Sequence, residues 1–350
     1  MQTFLIYGSY GFSGGLIAEL AARQGLRPIL AGRDPARLRV QAQRLGLEYR
    51  AFALENTAAL DAALNEVSAV LHCAGPFVHT FRQMAEACLR TKTHYVDISG
   101  EIPGFEALAA LDSAARQAGI MLLPGGGFDV VPSDCLSAHL KQRLPSATHL
   151  RLYIRGVGAG VSRGTARSAI ENMHRGGRIR REGKLVQVPP AWKVLTADFG
   201  GGPVRAVSIG WGDVSTAFHS TGILNVETYM AFPRFLIDFL RVSRLIGPLL
   251  YARPVKNLLK ALVNLLPPGP PQERRSNALA VMVGEVTDEH GGRALTRLQT
   301  PEGYSLTALT TVEIMKRILG SDFKAGFQTP SLAYGPDFIL SFPNTKREDL

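Results

Sequence analysis

The chain has 350 residues, 46% of them hydrophobic and 19% charged, with a formal net charge of +10. That length and balance fit one large or two ordinary globular domains and exclude a disordered or fibrous chain. Its three cysteines, Cys73, Cys88 and Cys135, show no metal-type or Cys-x-x-Cys spacing, which argues against a disulfide framework or a zinc cluster and fits a reduced, cytoplasmic setting. No run reaches the roughly 18–20 apolar residues of a membrane span, and no basic leader precedes the first apolar run, so no signal peptide is expected. The positive surplus gathers in 151–184 and 234–275. Such patches face acidic ligands, anionic lipid headgroups or nucleic acid. With no helix-turn-helix, RNA-recognition or finger pattern, nucleic acid is not expected as a partner.

Residues 3–7 form a short apolar run that reads as a buried strand. Gly8-Ser9-Tyr10-Gly11-Phe12-Ser13-Gly14 follows, and Leu16, Ile17, Leu20 and Ala21 then recur at helical spacing. Strand, glycine turn and helix in that order bring backbone N–H groups and the positive end of a helix dipole to one point, where an anion binds. Gly8 permits the tight turn, Gly11 lets a pyrophosphate approach the backbone, and Gly14 lets the helix sit close to the sheet. All seven residues are candidate dinucleotide contacts.

Residues 27–33 read as the second strand, ending at Arg33, where a dinucleotide fold tests the ribose. An acidic residue there favours NAD, and a guanidinium can grip a 2′-phosphate, so Arg33 points to NADP. The alternative is a solvated strand-end charge. Asp34 reads as a helix N-cap with Pro35 at the first helical position. A strand at 51–53, a helix at 57–67 and a strand at 68–74 come next, the last running into Gly75-Pro76-Phe77. Strand carboxyl ends line the ligand crevice of a doubly wound sheet, which places Cys73, Ala74, Gly75, Pro76 and Phe77 beside the cofactor. His72 and Cys73 read as structural before catalytic.

A helix at 84–91, a strand at 94–99, a helix at 105–119 and a strand at 120–124 complete six strand–helix alternations, the signature of a parallel sheet covered on both faces. Asp97, Glu101 and Asp129 stand at strand carboxyl ends and are the candidate catalytic carboxylates. The alternative role of Asp97 and Asp129 is to satisfy backbone N–H groups in tight turns, and Ser133 or Asp134 can simply cap a helix at 134–144.

The glycine turn, Ala31-Gly32-Arg33, Cys73-Ala74-Gly75-Pro76-Phe77, Tyr95-Val96-Asp97-Ile98-Ser99-Gly100-Glu101 and Gly127-Phe128-Asp129-Val130-Val131-Pro132-Ser133-Asp134 together resemble the saccharopine dehydrogenase-like oxidoreductases, in the branch that includes the trans-acting enoyl reductases of lipid synthesis. The resemblance spans nearly the whole chain and is clearest over its first 140 residues. It implies an NADP-type dinucleotide domain, a second α/β domain bearing the substrate site, and a chain end that returns to the first domain. In this sequence that gives 1–125 rejoined by 329–350, and 126–328.

Beyond Pro145 the pattern changes. Residues 149–155 alternate as a half-exposed strand does. Ser162, Arg163, Gly164 and Thr165 open a helix running to about Met173 and are the candidate substrate contacts. The basic run 175–181 reads as solvated surface. Strands at 204–209 and 225–232, with Asp213 capping a helix between them, a hairpin of 279–288 and 294–299, and a helix at 303–319 predict a mixed or antiparallel sheet with helices on one face. A final helix starts at Thr329.

The stretch 233–267 stands apart. Its broad apolar stripes accompany Arg234, Arg241, Arg244, Arg253, Lys256 and Lys260 against the single acid Asp238, with Pro248 and Pro254 dividing it into two or three helices. Two readings stay open: a helix pair lying on an anionic membrane surface, which would make the protein peripheral there, or one packed on the chain's own core or on a second subunit in a homodimer. The expected class is therefore α/β, a doubly wound Rossmann-type sheet with a second α+β domain. The expected function is an NADP-dependent oxidoreductase that reduces a hydrophobic, acyl- or polyketide-lipid-like enone or carbonyl in the interdomain cleft. The alternatives are an imine or amino-acid dehydrogenase of the saccharopine reductase type, with Arg163 or Arg167 holding substrate carboxylates, and a non-catalytic NADP-binding regulator. No metal is expected.

Overall fold

The computed structural model describes residues 3–157, 160, 162–172, 176–242, 253–265 and 267–350. The chain divides into two compact units, residues 1–131 with 303–334, and residues 132–302 with 335–350.

The first unit alternates β1 (Phe4–Tyr7), α1 (Phe12–Arg23), β2 (Ile29–Gly32), α2 (Pro35–Leu45), β3 (Tyr49–Ala51), α3 (Thr57–Leu64), β4 (Ala69–His72), α4 (Phe81–Thr91), β5 (His94–Asp97), α5 (Ile102–Ala109), α6 (Asp112–Ala118) and β6 (Met121–Leu123). The strands run parallel in the order β3-β2-β1-β4-β5-β6, and Gly326–Phe327 adds a seventh beside β6. This is the doubly wound order, and it reverses between β1 and β4. All four residues of β1, of β2 and of β4 are buried, as continuous apolar runs covered on both faces must be. Two helices, α5 and α6, stand where one at 105–119 was expected, and the third strand lies at 49–51 instead of 51–53. Asp34 is the N-cap of α2: its Oδ1 accepts from Ala36 N–H (3.0 Å) and Arg37 N–H (3.1 Å), with Pro35 opening the helix.

The return to this unit begins much earlier than position 329. Helix Gly303–Leu319 packs its buried Leu306, Ile314 and Ile318 within the unit, against α1 and β4. Residues 335–350 belong instead to the second unit, where Lys346–Asp349 pairs antiparallel along an edge of its sheet.

In the second unit α7 (Val131–Arg143), β7 (His149–Val157), α8 (Arg163–Asn172), β8 (Gly177–Arg181), β9 (Lys184–Val188), β10 (Val194–Asp198), β11 (Pro203–Ile209), α9 (Asp213–Thr221), β12 (Asn225–Ala231), α10 (Arg234–Val242), α11 (Arg253–Val263), β13 (Leu279–Thr287) and β14 (Arg293–Pro301) follow in turn. Nine strands make one mixed sheet, with main path β10-β11-β12-β7-β13-β14 and then Lys346–Asp349. Among the described residues of this sheet, only β12 and β7 pair in parallel; β13 and β14 are the expected hairpin. A Cβ on Gly284 would stand 2.4 Å from Leu140 Cδ1, so the missing side chain on β13 is what lets α7 lie on the sheet. The basic run expected as solvated surface is corrected over its described part: Gly177–Arg181 is a strand and Arg180 is buried. Its guanidinium donates to Val214 O and Gly183 O and lies 4.2 Å from the Phe218 ring centroid, so the charge is buried with partners. Arg175 lies outside the described residues, as do Met173, Arg244, Pro248 and the rest of 243–252, which interrupt the 233–267 stretch.

Candidate functional site

The glycine turn sits at the carboxyl end of β1, beside the β1/β4 reversal. Gly8 takes φ +84°, a left-handed value that favours glycine. A Cβ on Gly8 would also meet Ala74 N at 2.9 Å, and one on Gly14 would meet Gly8 O at 2.4 Å. Strand, turn and helix are thus packed to backbone contact. Gly11 is exposed and is the N-cap of α1; no side chain caps that helix and no acidic residue stands in its first turn. The positive helix end is left open to an anion, and the turn fits a dinucleotide pyrophosphate.

Not all seven turn residues point outward. Ser9 is buried, its Oγ donating to Gln41 Oε1 (2.8 Å) while Gln41 Nε2 donates to Ser9 O (2.9 Å), so it pins the turn to α2. Tyr10 lies across the β2–α2 turn: its Oη accepts from Arg33 N–H (3.1 Å) and Asp34 N–H (3.2 Å), and its ring occupies the space a Cβ on Gly32 would need. Phe12 packs edge-on against Tyr304, ring centroids 5.0 Å apart, which ties the first turn of α1 to the returning helix.

Around Tyr10 stand two cations. Arg33 is exposed, and its guanidinium makes no hydrogen bond or ion pair among the described residues. Arg37, one turn into α2, donates Nη2 to Tyr10 O (3.0 Å) and places its guanidinium carbon 4.4 Å from the Tyr10 ring centroid. A groove of about 660 Å³ opens beside Gly11, between α1 and α2, with Tyr10, Arg37, Leu16 and Val40 on its walls. Asp34 caps α2 through Oδ1, and the two guanidinium groups fit a 2′-phosphate. Sequence reasoning singled out Arg33 alone. The i, i+4 spacing from Arg33 was the available signal for Arg37.

The loop after β4 is braced from two sides. Thr80 Oγ1 donates to Ala74 O (2.8 Å) and pairs with His72 Nε2 (2.9 Å); with its hydrogen on Ala74 O, it accepts from a protonated Nε2. Burial pushes His72 down to about 3, so the ring stays neutral. From the other side Glu101 Oε1 accepts Phe77 N–H (3.0 Å) and Oε2 accepts Val78 N–H (2.7 Å). Cys73 N–H bonds to Tyr7 O (2.7 Å), and burial, then the Asp97 charge, push its thiol up, away from a reactive thiolate. Gly75 is exposed, Ala74 and Pro76 are half-buried and Phe77 is buried, packed edge-on against His72.

Asp97 is fully enclosed. Its Oδ1 accepts Ser99 N–H and Gly125 N–H, both at 2.9 Å, and its Oδ2 accepts Tyr95 Oη–H at 2.5 Å. Burial pushes it up to about 6, opposed by those same bonds. Asp129 lies against Gly100: a Cβ there would fall 2.7 Å from Asp129 Oδ2. The three carboxylates therefore gather at one strand edge, with Asp97 and Glu101 both holding backbone N–H groups. Two threonines of helix Gly303–Leu319 fasten the adjoining turn, Thr307 Oγ1 accepting Phe128 N–H (2.9 Å) and Thr310 Oγ1 donating to Gly126 O (2.8 Å). They lie some 180 residues from the turn in sequence, and no local pattern announced them.

Ser162, Arg163, Gly164 and Thr165 belong to the second unit. Ser162 is buried and caps α8, its Oγ accepting Thr165 N–H (3.2 Å); Arg163 N–H donates to Pro268 O (3.1 Å), and Gly164 and Thr165 are exposed. The same unit buries a polar cluster that sequence reasoning read only as helix caps. Burial pushes Asp213 up to about 7, opposed by the nearby Ser133 hydroxyl and reinforced by the charge of Asp134. Among the described residues no group of three or more His, Cys, Asp or Glu could hold a metal ion.

Residues 4–123 match the family described as saccharopine dehydrogenase NADP binding domain. The saccharopine dehydrogenase-like oxidoreductase of Homo sapiens is 27% identical over 47% of this chain and 44% of its own length. The trans-acting enoyl reductase of Mycobacterium leprae (strain TN) is 33% identical over 40% of this chain and 35% of its own. The matches thus span less than half of those curated relatives. An apo histidine-tagged saccharopine dehydrogenase (L-Glu forming) from Saccharomyces cerevisiae shares the fold over the full length of both chains, with a TM-score of 0.68 at 14% identity.

Proposed function

We propose, from the match of residues 4–123 to a saccharopine dehydrogenase NADP binding domain, that the chain is an NADP-dependent oxidoreductase acting on a hydrophobic, acyl- or polyketide-lipid-like enone or carbonyl. One observation carries the cofactor part: an uncapped helix start at Gly11 with two guanidinium groups, Arg33 and Arg37, around Tyr10 of the same turn. The bound cofactor supplies the hydride. Gly8, Gly11 and Gly14 shape the pyrophosphate seat, and Arg33 and Arg37 hold the 2′-phosphate. Glu101 and the His72–Thr80 pair keep the 73–77 loop in place along the cofactor. In this reading Asp97 and Glu101 are positioning residues, and Asp129 is the carboxylate kept for handling a proton. Ser162, Arg163, Gly164 and Thr165 are kept as the substrate contacts, with Ser162 ordering the helix start.

Support for a hydrophobic substrate comes from the apolar 233–267 stretch and from local similarity to trans-acting enoyl reductases. The same reading makes the protein peripheral to a membrane; among the described residues no helix is long and apolar enough to cross one. The test is loss of NADPH absorbance with long-chain enones set against amino-acid/keto-acid pairs. Turnover confined to the acyl substrates is expected. Turnover confined to amino-acid pairs would transfer the assignment to an imine or amino-acid dehydrogenase, and NADPH binding without any acceptor would point to a regulator.

A further inference from the structure

Helices α10 and α11 belong to the second unit, and several of their large apolar residues are exposed. Helix α11 rests on α8, with Arg167 Nη2 donating to Asn264 Oδ1 (2.5 Å). At 100° per residue, Val255, Leu259 and Val263 form one edge; Val263 is buried and the other two are half-buried. The next arc around the helix holds Pro254, Leu258, Ala261, Leu262 and Leu265, and all five are exposed. Leu258 is 60% exposed, Leu262 51% and Leu265 81%; on α10, Phe235 is 74% exposed while Ile237 is fully buried. A helix pair packed only on its own core would turn its leucines and phenylalanine inward. Here the core takes the narrower edge and leaves a continuous apolar arc to solvent.

The charge of the segment selects what meets that arc. Residues 233–267 carry six Arg or Lys and one acid, Asp238. On α11 positions 253, 256 and 260 fall on the side of the helix away from the exposed leucines. A second copy of the chain meeting this face about a twofold axis would match leucines to leucines and leave those cations without a counter-charge. An anionic bilayer offers the opposite charge together with an apolar layer.

We propose that the Leu258–Leu262–Leu265 stripe of α11, with Phe235 of α10, docks the protein on an anionic membrane surface, with the helix lying in the interface. This rests on the hydrophobic-substrate reading only for its purpose; the binding itself requires no turnover. Flotation of the full chain with phosphatidylcholine–phosphatidylglycerol vesicles, compared with phosphatidylcholine alone, tests it. Wild type is expected to float with the anionic vesicles and to fall roughly tenfold or more with neutral lipid or in high salt. Combining Leu258→Ser, Leu262→Ser and Leu265→Ser should cut flotation by about tenfold or more, and Lys256→Glu with Lys260→Glu should remove the lipid-charge dependence. NADPH binding and thermal midpoint should stay at wild-type values in every variant, which separates docking from folding. The idea is overturned if wild type stays in the dense fraction with anionic vesicles, if the serine variant floats as wild type does, or if wild type is a dimer that the serine variant splits while neither floats. Failure to oxidise NADPH with any enone would sink the oxidoreductase assignment and leave the flotation result standing.

Discussion

Replacing Arg33 with alanine removes a guanidinium that makes no hydrogen bond or ion pair among the described residues, while the backbone bond from Arg33 N–H to Tyr10 Oη stays. The fold should be indifferent, and the thermal midpoint unchanged. NADPH should not be indifferent. One charge-assisted contact is worth about 1.5–3 kcal/mol, so the NADPH dissociation constant should rise roughly 10- to 150-fold. NADH, which lacks the 2′-phosphate, should change less than about threefold. Arg37→Ala serves as the contrast. It also removes the bond to Tyr10 O and the contact with the Tyr10 ring, an exposed cation–π pair worth about 0.5–1 kcal/mol. That variant should therefore lose NADPH affinity and some thermal stability together. Titration of both nucleotides by calorimetry, with melting curves alongside, reads every term. Equal losses for NADPH and NADH, or no loss from either substitution, would refute the assignment of the 2′-phosphate to this pair.

Gly14→Ala would place a Cβ 2.4 Å from Gly8 O and 3.0 Å from Ser9 Cα, both backbone atoms. It should abolish measurable nucleotide binding and cost about 1–3 kcal/mol in denaturant unfolding; full binding would show the turn is not the pyrophosphate seat. Glu101→Gln keeps one acceptor and loses the other, so Val78 N–H goes unpaired. A destabilisation of about 1.5–3 kcal/mol and a severalfold weaker NADPH complex are expected, and unchanged melting would contradict the bracing role. Asp213 titrates near pH 7 when folded against an ordinary value of 3.8. A raised carboxyl contributes stability that is full below its unfolded value and is lost as pH rises through the folded one. Urea unfolding should weaken between about pH 4 and pH 8 by up to roughly 4 kcal/mol, with Asp97 adding a smaller loss toward pH 6. Asp213→Asn should flatten most of that slope, and a slope unchanged in the variant would exclude Asp213 as its source.

Much of the first unit was legible because its signals are local. Six strand–helix alternations, the glycine spacing and Asp34-Pro35 each depend on neighbours a few residues away, and all appear where expected within a few positions. The second unit was legible as a mixed sheet with a hairpin, but β8, β9 and β10 were missed. Arg178, Arg180 and Arg181 make β8 look like surface, and only Val214, Gly183 and Phe218 supply the partners that let Arg180 be buried. The point of return failed for a similar reason. Nothing in 329–350 shows that Lys346–Asp349 pairs with β14, or that Thr307 and Thr310 reach the 126–128 turn.

What the sequence by itself determined is the cofactor half: a strand, three glycines at fixed spacing and a cation at the end of β2 specify an anion seat through backbone sterics and helix polarity, which act within a single turn of chain. The tertiary structure decided what each polar group is used for. Asp97 and Glu101 look like catalytic carboxylates in a linear reading, yet folding hands their oxygens to the N–H groups of Ser99, Gly125, Phe77 and Val78. Arg37 lies over the Tyr10 ring, whose hydroxyl holds the Arg33–Asp34 turn, because α2 starts there. It likewise decided that α11 turns Val263 inward and leaves Leu258, Leu262 and Leu265 in solvent. Periodicity states that a helix has an apolar arc; only packing against α8 states how much of that arc the protein covers for itself.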